Sequence, residues 1–150
     1  MRMKSIGILL IFAGISFSCD SHDHGKSHDQ AGENHENHGA AELKLNNGKK
    51  WQMDDHTRQS IQNINQLVAE NNELKAIADF QKLGKSLDTE LNGLIKGCTM
   101  QGEAHDQLHA FLADFIPKIA ALKEGVELDH AHKTHKEITE LLTLYGNTFE

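Results

Sequence analysis

Behind a pair of aspartates, Ile61, Ile64, Leu67 and Val68 recur at three- and four-residue spacing. That pattern predicts a first helix, capped by Asp54 or Asp55 and running to about Glu70. The polar pair Asn71-Asn72 breaks it. A second stripe of Ile77, Phe80, Leu83, Leu87, Leu91 and Leu94 predicts a helix from about Glu73 to Lys96. Gly97 to Gly102 closes that helix and opens a third, in which Leu108, Phe111, Leu112, Phe115, Ile119 and Leu122 share a side. Pro117 should kink this helix, and Gly125 should end it as a left-handed cap. A fourth helix is expected from about Val126 to Tyr145, with Leu128, Ile138, Leu141, Leu142 and Tyr145 facing inward. No segment reads as a strand, and a turn is expected at Asn46-Asn47-Gly48.

Four amphipathic segments with short connectors predict an all-α fold, an up-down-up-down four-helix bundle over residues 46–150. In that topology the start of helix 1 meets the end of helix 2, the start of helix 3 and the end of helix 4. Trp51, Met53 and His56 should therefore lie near Cys98, Met100 and His105, with His130 and His132 at the opposite end.

Upstream the pattern changes twice. Arg2 and Lys4 precede an apolar run from Ile6 to Phe17, shorter than the roughly 20 residues a permanent membrane helix needs, which predicts an export signal over residues 1–18. Ser16-Phe17-Ser18-Cys19 places a small residue before a cysteine, in the manner of a relaxed lipobox, so Cys19 is the expected lipidation site. Residues 19–45 are then a lipidated tether. With almost no large apolar side chain, this stretch cannot offset the entropy of ordering and is expected to be disordered. The implied location is the cell envelope, on the inner or outer membrane, with the domain on the periplasmic side and the lipid bilayer as a partner through acylated Cys19.

Composition narrows the chemistry. The chain has 150 residues and a formal net charge of −7, and no basic cluster suggests nucleic acid. Lipidation of Cys19 would leave Cys98 without a disulfide partner. The tether holds His22, His24, His28, His35 and His38 among Asp20, Asp23, Asp29, Glu33 and Glu36. Neutral imidazole suits zinc, copper and nickel, so the cluster can capture metal, although its spacing matches no closed zinc motif; the plainer reading is a hydrophilic spacer.

The second constellation is Cys98, Met100, His105 and His109. Thiolate and thioether are soft ligands that favour Cu(I), and His109 stands one turn beyond His105 on the same face. Each residue also has a structural reading: Met100 as a lid on the core, Cys98 as a small apolar residue, His105 as a helix-terminal side chain. His130, His132 and His135, with Asp129, form a weaker third cluster, and His56 could join the Cys98 end. No orienting third group or oxyanion site accompanies Cys98 and His105, so no catalytic residue is assigned and the chain reads as non-enzymatic.

The runs Leu45-Asn46-Asn47-Gly48-Lys49-Lys50-Trp51, Cys98-Thr99-Met100 and Gly102-Glu103-Ala104-His105-Asp106-Gln107-Leu108-His109 resemble small bacterial lipoproteins that accompany heavy-metal efflux systems. The resemblance covers nearly all of the domain. It implies a role in handling copper or a related metal, with a metal-efflux protein as partner, and by position that role would fall to Cys98, Met100, His105 and His109. The leading expectation is a lipoprotein that binds or buffers copper or zinc. The alternative is a helical structural or interaction module without metal.

Overall fold

A computed structural model describes residues 43–150. The signal segment, Cys19 and the tether histidines His22, His24, His28, His35 and His38 lie outside the described residues. Four helices follow one another: α1 (Asp55–Glu70), α2 (Ile77–Gly97), α3 (Glu103–Glu124) and α4 (Leu128–Thr148). The expected all-α four-helix bundle is present. α1 packs on α2, α2 on α3 and α3 on α4, with α4 also reaching α2. The expected stripes meet in one core, where Ile64, Phe80, Leu87, Leu94, Leu108, Phe111, Phe115, Ile119, Leu122 and Ile138 are almost fully removed from solvent.

The closure of the bundle follows from local chemistry. At one end Asp54 caps α1 by accepting the Thr57 backbone N–H at 2.7 Å. Residues just before it pair with the chain's last residues: Trp51 N–H donates to Thr148 O at 2.9 Å, Met53 N–H to Glu150 O at 2.8 Å, and Glu150 N–H to Trp51 O at 2.9 Å. That short ladder joins the start of α1 to the end of α4 and lets Phe149 enter the core beside Met53. Upstream of it, Asn46 and Lys49 exchange backbone hydrogen bonds around Asn47 (φ 51°) and Gly48 (φ 83°). Two successive positive φ values are what a tight type I′ reversal requires, and Asn-Gly supplies them at least cost. The two isolated bridges at these places are the β pairing found among the described residues.

Several boundaries differ from expectation. α2 begins at Ile77 rather than Glu73, because Asn71 closes α1 through Leu67 O and Val68 O and the chain needs the next residues to reverse, with Leu74 packed on the core. α4 begins at Leu128 rather than Val126. Leu128 itself is 40% exposed rather than inward, since the first turn of α4 projects past the end of the core. α4 also runs beyond Tyr145 to Thr148. Gly125 is not a left-handed cap: its φ of −59° and ψ of 142° are extended. Its value is close approach, because a Cβ there would stand 2.9 Å from Ala121 O. Pro117 lies inside α3, which continues to Glu124. The carbonyl that loses its partner to proline belongs to Ala113, an exposed residue, where water can satisfy it.

Candidate metal centre

The sulfur and imidazole donors sit where α2 gives way to α3. Cys98 closes α2 by donating its N–H to Leu94 O at 3.0 Å, and its side chain is half-buried. Thr99 is then gripped by Asp54 across the bundle end: one carboxylate oxygen accepts both the Thr99 N–H and the Thr99 hydroxyl, each at 2.9 Å. Burial pushes the Asp54 carboxyl upward. The Thr57 and Thr99 donors outweigh that effect and hold it well below the usual carboxylate range, although the Thr57 hydroxyl itself is buried without a hydrogen-bond partner. Gly102, at φ 71°, then turns the chain into α3, where Glu103 and Asp106 suit the positive end of the helix dipole.

His105 and His109 occupy the first two turns of α3, and their four-residue spacing stacks them on one face. Their Nε2 atoms are 2.9 Å apart, with ring centroids at 4.4 Å and planes nearly perpendicular at 84°. In this contact one ring, as its Nε2–H tautomer, donates to the other. Two nitrogens that share a proton can also share a cation. Tetrahedral zinc with bonds of about 2.0–2.1 Å would hold two imidazole nitrogens about 3.3 Å apart, so the pair need open by only about 0.4 Å.

Both rings line a cavity of about 360 Å³ whose wall also includes Cys98. The rest of the lining is apolar: Leu94, Ile95, Leu108, Leu112, Ala113 and Ile116. His105 is half-buried, as its register with Leu112 anticipated, and His109 is exposed.

Three of the four expected donors therefore line one cavity. Met100 is not among them; it is half-buried and packs against the core, the lid role open to it from the sequence. Among the described residues, no three His, Cys, Asp or Glu side chains form a ready-made group able to hold a metal ion. Cys98 thus shares the cavity with the imidazole pair without completing a three-donor cluster.

The other sequence candidates resolve differently. His56 reaches the expected end of the bundle, but its Nε2 lies 3.0 Å from Gly93 O and its ring covers Gly97 so closely that a Cβ there would come within 2.1 Å. It braces the last turns of α2 rather than joining the cavity. Trp51 donates its indole N–H to Lys44 O at 2.5 Å, and Met53 is a core residue.

At the opposite end, as topology demanded, His132 and His135 make T-shaped contacts with Phe80 at centroid distances of 4.8 and 5.9 Å. Burial lowers the His135 pKa and neighbouring His132 lowers it further, against a weaker opposing contribution from the Asn71 backbone. His130 and Asp129 are exposed. The Asp54 clamp on Thr99 leaves no local trace in the sequence, because its partners are 45 residues apart and each alone reads as a cap or loop residue.

Comparison with protein-family models, curated proteins and solved structures finds no match. No helix among the described residues is long and apolar enough to cross a membrane.

Proposed function

We propose that this chain is a non-enzymatic lipoprotein of the cell envelope, held to the bilayer through Cys19, that binds or buffers a transition metal, copper or zinc, in support of metal efflux. The observation that carries the metal reading is the 2.9 Å approach of the His105 and His109 Nε2 atoms on a cavity shared with Cys98. Two imidazole nitrogens at helical i, i+4 spacing form an N,N chelate, and the Cys98 thiol, a soft donor of the kind Cu(I) favours, lines the same cavity without being gathered with them into a three-donor group. The apolar remainder of the wall limits competing water, while the exposed edge of His109 keeps an entry path open. Asp54 acts one step back from the donors, fixing the residue that follows Cys98. The Cys19 anchor and the His-rich tether enter this reading from their sequence, the tether as a collector of ions near the membrane surface.

The test is metal binding by protein purified without a histidine tag. Cu(I) under reducing conditions should bind to the parent chain, and a variant combining Cys98→Ser with His105→Ala should bind it at least tenfold more weakly. Equal affinity in the two proteins would remove the bundle-end site and leave an interaction module as the better reading.

A further inference from the structure

We infer that the His105–His109 chelate is one half of a two-chain site, and that a second copy of this chain completes the coordination of a divalent ion such as zinc. The inference rests on the reading of this pair as a metal chelate and adds what supplies the missing ligands.

Zinc in closed protein sites takes four ligands in a tetrahedron. A single bundle offers it two imidazole nitrogens, and no third His, Cys, Asp or Glu is gathered with them among the described residues. The deficit faces outward, because His109 is exposed and no carboxylate lines the cavity. A two-fold axis through such a site doubles the donor set from two nitrogens to four, since an isologous contact uses the same patch on both copies.

The surroundings suit that contact. Six large hydrophobic side chains among the described residues are exposed, and two of them, Ile95 at 48% and Ile116 at 40%, lie on this same cavity. Exposed Ala113 continues the apolar surface along α3. The chain carries a formal net charge of −7, so two copies repel in general. Contact is least costly on a patch lined without carboxylates, and a shared cation offsets part of the repulsion.

The experiment titrates the untagged full chain with zinc chloride and reads bound zinc per chain together with sedimentation. Subtracting the zinc held by a variant with His105→Ala and His109→Ala cancels ions captured elsewhere, and circular dichroism verifies that the variant keeps its helices. The expected difference is about half an ion per chain, with a dimer that forms on adding zinc, reverses with EDTA and is lost in the variant. Ile116→Glu leaves both imidazoles in place and should lower the zinc-dependent dimer fraction severalfold; an unchanged fraction would overturn the assignment of this face. A difference of about one ion per chain on a monomer would overturn the two-chain site while leaving the chelate intact. No difference at all would remove the chelate, and this inference with it.

Discussion

Asp54 and Thr99 are joined by two hydrogen bonds of 2.9 Å to a single carboxylate oxygen, while the other oxygen of Asp54 caps α1 through Thr57 N–H at 2.7 Å. One side chain thus starts the first helix and ties down the loop that carries Cys98. Asp54→Ala should lose both functions. A lost N-cap costs about 1 kcal/mol, and hydrogen bonds to a charged group contribute about 1.5–3 kcal/mol, so urea unfolding should show destabilisation of at least about 2 kcal/mol. The acid limb has a definite sign. The folded-state pKa is depressed, so this contribution is complete above the ordinary carboxylate range and fades as pH falls below about 4. In Asp54→Ala that part of the acid sensitivity should disappear; a variant with parental stability at pH 7 would show the clamp to be incidental.

Gly84 and Gly93 lie on the same helix and should respond in opposite directions to alanine. A Cβ on Gly84 would stand 2.5 Å from Lys123 N and 2.6 Å from Lys123 Cα, backbone atoms of α3 that cannot step aside without moving the helix. Gly84→Ala should cost about 1–3 kcal/mol or more through overpacking. At Gly93 a Cβ meets nothing within 4 Å, and Gly93→Ala should stabilise the protein by up to about 1 kcal/mol through helix propensity. Thermal melts of the two variants, run side by side, check the sign of each.

These contrasts mark how far the sequence carries. Amphipathic spacing located all four helices and most of the core, because burial of one stripe leaves a periodic trace that local context does not hide. Alternating topology then placed His56 at the Cys98 end and His132 at the other. Boundaries were less legible: Leu128 continues an apolar stripe, yet the core ends before reaching it. The donor set was legible in type and only partly in geometry. His105 and His109 meet because their spacing is local to one helix, whereas the direction of Met100 depends on a loop whose shape is set by Asp54, 45 residues from Thr99. Gly84 carried no signal, since close approach of two helices is a property of the pair.

Tyr145 should be replaceable by phenylalanine at no cost. Its ring packs edge-on to Phe111 at 5.2 Å and against Phe149 at 4.7 Å, while its hydroxyl is buried without a hydrogen-bond partner. Burial, more than any neighbouring charge, raises its pKa far above the ordinary phenol value. An unsatisfied buried polar atom costs about 1–3 kcal/mol, and phenylalanine keeps the ring contacts without it. Tyr145→Phe is therefore expected to match or exceed parental stability in chemical denaturation. A loss above about 1 kcal/mol would mean that the hydroxyl is satisfied in solution.

His135 should make the bundle sensitive to mild acid. The ring is half-buried against Phe80, its Nε2 is enclosed without a partner, and His132 stands close enough to disfavour a second positive charge. Folding therefore favours the neutral ring. The unfolded chain binds a proton near pH 6.5, and the folded chain binds it only at lower pH, so between those two values the unfolded state holds more protons and stability falls as pH falls. Above about pH 6.5 the contribution is flat, and below the depressed folded-state value it is flat again at its destabilised level. Replacing His135 with leucine, which cannot titrate, should remove this step from a plot of unfolding free energy between pH 7 and 5. His132→Gln should shrink the step without abolishing it, because the repulsion goes and the burial stays. If the parental plot is level across that interval, solvent reaches His135 and its ring titrates as freely as an exposed histidine.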